Sequence, residues 1–339
     1  MKILSLFDGM SCGMIAASLA GLTVERYDAW EIDEYAVTTS AHNFPEVRHH
    51  GDVFEGDFME YQGYGFLLGG SPCTYWSSAQ QSVKKNTNPQ GMGWELFSQY
   101  CRALYEARPR RFIYENNSSM PDDVRQEITQ IFGFEPAEID SARVSAQSRK
   151  RLYWVGIRQP DGKYRAAHIM QPPDRMLAVK DILDDAEPTT RGSCRTHRPG
   201  RVGVKPRERD GAQTDGQAFV IYSTEGKSPT LKANAGGAAG KAGWYAVPGE
   251  PAEGQTAYDV KGGRFEIGDR SYPIKLPDGR YTIRTLTVSE CKRLQTVPEW
   301  YDFSSVSEEQ ARKMLGNGWT CEVIAHLIRS AMKSSVFGI

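Results

Sequence analysis

Residues 66–73 read Phe66-Leu67-Leu68-Gly69-Gly70-Ser71-Pro72-Cys73. An apolar run that stops at paired glycines and a proline has the signature of a buried strand and its terminal turn. The residue before a proline is biased toward extended backbone, and glycine turns without steric cost. The stretch therefore delivers a thiol to the rim of a sheet. In an open α/β sheet, ligands bind outside the carboxyl ends of the strands. Cys73 is thus a candidate nucleophile; the alternative for a strand-end cysteine is a small buried hydrophobe.

Outward from this stretch, apolar strands alternate with helical patterns across residues 1–158. Strands are expected near 2–7, 25–31, 65–70, 111–115, 135–140 and 152–157, and helices over 15–20, 35–44, 94–107 and 121–132. Such alternation predicts an α/β fold, a mainly parallel sheet with helices on both faces. The last two strands, joined by a short turn-like segment, are expected as a hairpin. Residues 159–283 break the rhythm with short apolar runs and with turn signals at Pro160-Asp161-Gly162, Gly236-Gly237 and Asp278-Gly279. They read as a smaller, irregular, β-rich domain. Helical patterns return at 287–295, 307–315 and 319–333, where Ser307 with Gln310 three residues on marks a helix start. The last helix is expected to pack back on the first domain.

A chain of 339 residues suggests two domains, or one large domain with an insert, and 40% hydrophobic residues support a proper core. Six cysteines without ligand spacing indicate neither a zinc site nor a disulfide framework. No run reaches membrane-spanning length, and the first residues enter a strand without a signal-peptide pattern. The expectation is a cytoplasmic protein with no membrane contact and no obligate protein partner evident. The net charge of −1 does not advertise a nucleic-acid binder, but its distribution does. Residues 191–209 hold Arg191, Arg195, Arg198, Arg201, Lys205, Arg207 and Arg209 against Glu208 alone, a net +6. Concentrated basic charge suits a loop that tracks phosphates; a solvated loop is the alternative.

Seven further motifs follow in order. Phe7-Asp8-Gly9-Met10-Ser11-Cys12-Gly13 succeeds the strand from Ile3 to Leu6. Glu31 ends the second strand, and Gly51-Asp52 stands where a third would begin its loop. Glu115-Asn116-Asn117 ends the strand from Arg111 to Tyr114. Gln147-Ser148-Arg149-Lys150-Arg151 opens the run from Leu152 to Ile157. Arg284-Thr285-Leu286-Thr287 leads to Glu290 and Arg293-Leu294-Gln295, and Gly316-Asn317-Gly318 precedes the last helix. In this order and spacing the chain resembles the cytosine-5 DNA methyltransferases of bacterial and phage type, across residues 1–158 and 284–330.

The resemblance implies a Rossmann-like S-adenosylmethionine-dependent methyltransferase domain over 1–158, completed by 307–339. It places a target-recognition domain and its supporting segment in 159–306, and implies DNA methylation, in relatives a part of restriction-modification. The loop with Phe7, Asp8, Gly9, Ser11 and Gly13 is not a GxGxxG fingerprint, yet its two glycines and small serine let backbone approach a ligand. The implied ligand there is S-adenosylmethionine, with Glu31 accepting from the ribose hydroxyls and Asp52 from the adenine amino group. Asn317 would hold the methionine portion, and Pro72 completes the set.

The implied reaction starts from the weakness of cytosine carbon 5 as a nucleophile. Addition of the Cys73 thiolate at carbon 6 makes the ring an enamine and pushes charge onto N3. An acid at Glu115 would neutralise that charge. Arg151 is implied at the cytosine O2, with Arg149 assisting or binding phosphate; a solvated strand edge is the alternative for both. Ser77, Asn116 and Gln147 join the substrate-binding set. A duplex hides carbon 6, so the base must be flipped out, with residues 74–93 as the loop that closes behind it.

Two residues depart from the family pattern. Thr74-Tyr75-Trp76-Ser77 follows the nucleophile, closer to the de novo mammalian subgroup, and Asn117 stands where an apolar residue usually packs. Ser228-Pro229-Thr230-Leu231 is similar to the Thr-Leu element of bacterial target-recognition domains, adding Thr230 and Leu231 to the DNA-reading candidates beside Arg195, Arg198 and Arg201. A transfer-RNA cytosine-5 methyltransferase and a catalytically silent DNA-binding paralogue are the rivals. The Thr-Leu element and the size of the insert favour duplex DNA, and the intact Cys73, Glu115 and Arg151 favour an enzyme.

Overall fold

The computed structural model describes residues 1–72, 76, 89–184, 221–233, 241–250, 257–267 and 270–334. Cys73, Thr74, Ser77, Gly236-Gly237 and the basic segment with Arg195, Arg198 and Arg201 lie outside the described residues. Two compact units emerge. The first is Met1–Ser141, Lys150–Pro173 and Trp319–Ile339; the second is Ala142–Arg149 and Asp174–Gly318. The division differs from the expected one in three places. Residues 142–149, expected in the first domain, belong to the second unit. Residues 159–173 stay with the first unit, and the segment 307–318, expected to complete the first, belongs to the second.

The first unit holds eight strands: β1 (Lys2–Leu6), β2 (Arg26–Trp30), β3 (Arg48–His50), β4 (Phe66–Gly69), β5 (Arg111–Asn117), β6 (Ala137–Asp140), β7 (Lys150–Arg158) and β8 (Tyr164–Ala166). They form one sheet in the order β3-β2-β1-β4-β5-β7-β6, with β8 on β7. The pairs among β1 to β5 are parallel, whereas β7 runs antiparallel to β5, β6 and β8. Strand order reverses between β1 and β4, and the crevice at such a switch point is where open α/β sheets bind ligands. The loop after β1 and the Gly70-Ser71-Pro72 stretch after β4 both leave the sheet there.

The expected hairpin is present, but β7, not β6, sits inside the sheet. Leu152 to Ile157 is buried on both faces, as a central strand requires, while β6 buries Ile139 alone and forms the edge. β3, with Arg48, His49 and His50, carries no apolar residue; Gly51-Asp52 marked where such a strand would end, but the apolar pattern gave it no range. It edges the sheet's other end.

Helices α1 (Cys12–Leu19), α2 (Glu34–Asn43), α3 (Met92–Ala107), α4 (Asp122–Phe132) and α7 (Cys321–Lys333) cover the sheet. In α3, Phe97, Tyr100, Ala103 and Ala107 recur every three to four residues and make one buried face. That face joins Phe112 and Tyr114 of β5 and Phe132 of α4 in an aromatic cluster, with ring centroids 4.8 Å apart for Tyr100–Tyr114 and 4.9 Å for Phe112–Phe132. Such pairs contribute about 0.5–1.5 kcal/mol each beyond their buried area. The last helix does pack back on the first unit: α7 lies against α1, and Arg329 donates to the Leu19 carbonyl at the end of α1.

The second unit has its own sheet, built from β9 (Ile221–Ser223), β10 (Trp244–Pro248), β11 (Ala257–Lys261), β12 (Arg264–Ile267), β13 (Arg270–Pro273) and β14 (Gly279–Arg284). The order is β13-β12-β11-β14-β10-β9, antiparallel except for β9 on β10. Helices α5 (Val288–Leu294) and α6 (Glu308–Asn317) follow. Ser307 caps α6 by accepting from the Gln310 amide, as its spacing predicts. Thr287 and Glu290 close a capping box on α5, and Glu290 is fully buried against Arg284 at 2.7 Å.

Candidate active site

The loop after β1 is built under backbone constraint. Phe7, Gly9 and Ser11 all have positive φ, and two of them are not glycine. Side chains beneath it hold that shape. Asp8 is 8% exposed, and its carboxylate accepts from the Tyr27 hydroxyl at 2.6 Å and from the Ser11 hydroxyl, which is also bonded to Ser40. Gly13 is forced by the same network, because a Cβ there would lie 2.4 Å from the Tyr27 hydroxyl. Burial pushes the Asp8 carboxyl above its ordinary range against the hydrogen bonds it accepts. Asp8 thus braces the loop from below.

Glu31, directly after β2, ties that loop to the next strand end. Its Oε2 accepts from the Gly9 amide at 2.8 Å, and its Oε1 accepts from the Ile32 and Asp33 amides. Burial raises the Glu31 carboxyl, with those backbone bonds opposing the rise. Asp52 accepts from the Phe54 amide and opens a short 3₁₀ turn after β3. Ile32, beside Glu31, is 72% exposed.

The register of β4 on β5 pairs Gly69 with Tyr114 and so carries Gly70 alongside Glu115. A Cβ on Gly70 would lie 2.9 Å from Glu115 Oε2, so only glycine leaves room for the carboxylate. Arg151 stands diagonally across β5 and β7, where Glu115 pairs with Tyr153 and Asn117 with Arg151. Its Nε meets Glu115 Oε1 at 3.0 Å, and its Nη1 donates to the Lys150 carbonyl. The indole Nε1 of Trp319 donates to Glu115 Oε2 at 3.1 Å. Sequence reasoning missed this residue; its one signal is a large aromatic placed directly after Gly316-Asn317-Gly318.

Asn116 points into the protein. Its Nδ2 donates to the Ser71 carbonyl and the Tyr114 hydroxyl, and Ser71 Oγ is bonded to the same hydroxyl. These bonds moor Ser71-Pro72, the residues leading to Cys73, to β5. Asn117 is buried where an apolar residue was expected. Its Oδ1 accepts from the Ser119 amide and hydroxyl, so the amide side chain builds the turn that ends β5. Trp76 is fully buried in the aromatic cluster.

Gln147, Arg149, Thr230, Leu231 and Asn317 fall in the second unit. Residues 146–148 run beside Ser228, with Ser228 N donating to Ala146 O and Ser148 N to Ser228 O. Gln147 accepts from the Leu231 amide and donates to Leu294 and Gln295. Arg149 is 4% exposed, and its guanidinium donates to the carbonyls of Leu231, Gly316 and Gly318. Arg151, two residues on, meets Glu115 instead, so neither arginine lies on a solvated strand edge. The Thr230 hydroxyl donates to Ser148 O, and Leu231 is buried, so the described contacts of both point inward. Asn317, at the end of α6, is exposed. Among the described residues, no helix is long and apolar enough to cross a membrane.

Comparison with known proteins agrees with this geometry. A profile of the C-5 cytosine-specific DNA methylase family matches residues 1–333. The orphan methyltransferase M.SPRI of Bacillus phage SPR is 30% identical over 171 residues, 47% of this chain and 38% of that protein. The match therefore spans well under half of the phage protein's length. The type II methyltransferase M.NgoPII of Neisseria gonorrhoeae is 24% identical over 357 residues, covering 99% of this chain and 96% of that protein. Among solved structures, S. pombe Dnmt2 methyltransferase has a TM-score of 0.62 at 12% identity, and the Entamoeba histolytica methyltransferase EhMeth has 0.63 at 15%. Each covers 98% of both chains, a likeness of fold. With the profile spanning all but the last few residues, the chain belongs to the C-5 cytosine-specific DNA methylase family.

Proposed function

We propose that this protein is a DNA (cytosine-5-)-methyltransferase that uses S-adenosylmethionine to methylate carbon 5 of a flipped-out cytosine in duplex DNA. One observation carries the reading: Gly70, directly after β4 and three residues before Cys73, lies against the carboxylate of Glu115. An acid on β5 and the stretch that leads to a thiol therefore stand on adjacent strands. The Cys73 thiolate adds to carbon 6, and the ring charge that develops at N3 is met by a proton from Glu115. General-acid help of this kind is worth about 10²–10⁴-fold. Arg151 holds the carboxylate in place through Oε1. After transfer, carbon 5 loses its proton and the thiol is eliminated.

The residues after β1 and β2 fit S-adenosylmethionine. A backbone turned through three positive-φ residues, a half-buried carboxylate at the next strand end and the exposed Ile32 beside it suit a nucleoside with a ribose and a base. When bound, the cofactor supplies a methyl group activated by its sulfonium. Gly9 and Glu31 would hold the ribose side, and Asp52 the adenine.

The test is tritiated-methyl incorporation into duplex DNA and into transfer RNA, with wild-type protein and Cys73→Ala. Duplex DNA should be labelled, Cys73→Ala should bind the cofactor but transfer nothing, and DNA carrying 5-fluorocytosine should form a denaturation-resistant adduct. Label in transfer RNA alone moves the assignment to the RNA enzyme. A Cys73→Ala rate within tenfold of wild type rules out the covalent route.

A further inference from the structure

Glu115 is held at both oxygens. Arg151 Nε, 3.0 Å from Oε1, supplies charge, while Trp319 Nε1, 3.1 Å from Oε2, supplies a neutral N–H from the turn before α7. One contact leaves a carboxylate free to rotate about its terminal torsion, which is soft and broad. Two contacts on different oxygens fix its plane. The glycine at position 70 leaves the space in which Oε2 meets the indole, since a Cβ there would stand 2.9 Å from that oxygen.

The turn that carries the indole is itself anchored. Thr320 accepts from the Ser141 hydroxyl at 2.9 Å and opens α7, a helix whose inner face is buried along its length. The Arg151 guanidinium is anchored in turn on the Lys150 carbonyl.

We propose that Trp319 is a positioning residue for Glu115, fixing the plane of the carboxyl group so that the O–H it carries as the acid is directed at the ring nitrogen to be protonated. The proposal rests on the reading of Glu115 as the acid. Indole N–H is a donor only, so it orients the carboxylate without ever accepting the proton that Glu115 must pass on. Trp319 therefore aims the acid without competing for its proton, which packing alone would not do.

The experiment uses the full chain, duplex DNA and single-turnover methylation, with cofactor affinity measured separately by calorimetry. Trp319→Phe keeps an aromatic ring and removes the donor. Its rate should fall by roughly tenfold, the size expected for one lost hydrogen bond to a charged group. Cofactor affinity should stay within about twofold, below the effect of one ordinary hydrogen bond. Trp319→His restores a ring N–H and should recover part of the lost rate. In a Glu115→Gln background, Trp319→Phe should add almost nothing, because the two act as one unit.

A full Trp319→Phe penalty in the Glu115→Gln background overturns the proposal while leaving the acid in place. A Glu115→Gln variant at the wild-type rate overturns the acid and the proposal together. Should Trp319→Phe not fold, the comparison of Trp319→His with wild type carries the same test, through the rate in the Glu115 and Glu115→Gln backgrounds and the cofactor affinity.

Discussion

Asp28 has no exposed surface, yet its carboxyl sits well below the ordinary carboxylate range. Burial alone would raise it; bonds from His50, Arg26 and Tyr64 more than reverse that effect. The sign follows. A carboxyl lowered in the folded state contributes stability above its unfolded value, near 3.9, and loses it as pH falls toward the folded value. Asp28→Asn should therefore cost about 1.5–3 kcal/mol at pH 7, the range for hydrogen bonds to a charged group. The gap to wild type should narrow below about pH 4. Thermal melts across pH check this, and a gap that widens in acid contradicts it. Legibility at this scale divides along the same line. Glu31 and Glu115 were readable because an acid at a strand end is a local pattern. The indole on Glu115 was not, since Trp319 reaches it across 204 positions of sequence. Nor was the brace under the first loop readable: Asp8, expected at the cofactor, turns its carboxylate down to Tyr27 and Ser11.

Elements were legible where their pattern was strong. The fully buried runs of β1, β4 and β7 and the periodic face of α3 announced themselves, and Ser307 marked its helix. What failed was polar or non-local. β3 has no apolar residue to betray it, and the boundary between units passes through the connection of β6 to β7, where residues 142–149 join the second unit. That connection explains Gly316-Asn317-Gly318 as well. Arg149 and Gln295 donate to its carbonyls, and Gly316 packs so closely that a Cβ would lie 2.5 Å from the Ala233 nitrogen and 2.6 Å from the Lys232 carbonyl carbon. Both obstacles are backbone, so neither swings away as a side chain would. Gly316→Ala should destabilise by about 1–3 kcal/mol, the usual cost of overpacking. A Gly133→Ala control also loses stability, through its positive φ, but meets nothing within 4 Å and so should leave methylation unchanged. Calorimetric melting and a methylation assay separate the two: if Gly316→Ala melts and turns over like wild type, the close packing around that turn carries no weight.

At the scale of the whole molecule, the chain keeps Glu31, Glu115 and its constrained loop in the first unit, while its +6 segment, residues 191–209, stands apart from them in the sequence. Such a division makes a measurable demand. Contacts to phosphates position a protein on any duplex, whereas contacts to base edges choose among sequences. Each phosphate neutralised by a protein cation releases counterions and steepens the fall of affinity with salt by roughly 0.9 per contact. If Arg195, Arg198 and Arg201 track the backbone, replacing all three with glutamine should weaken binding to target and non-target duplexes alike. It should also flatten the log–log salt slope by roughly 2 to 3. Affinity for S-adenosylmethionine should not change, because none of the loop, Glu31 or Asp52 belongs to the altered segment. Thr230→Ala should behave differently. It frees the Ser148 carbonyl that orders the strip beside Arg149, so it should disturb which site is methylated before it disturbs the salt slope. Filter binding at several salt concentrations, run beside bisulfite sequencing of methylated DNA, reads both quantities from the same proteins. A triple variant with the wild-type slope removes the arginines from the phosphate track. A Thr230→Ala protein that loses slope and keeps its site reverses the assignment of the two features.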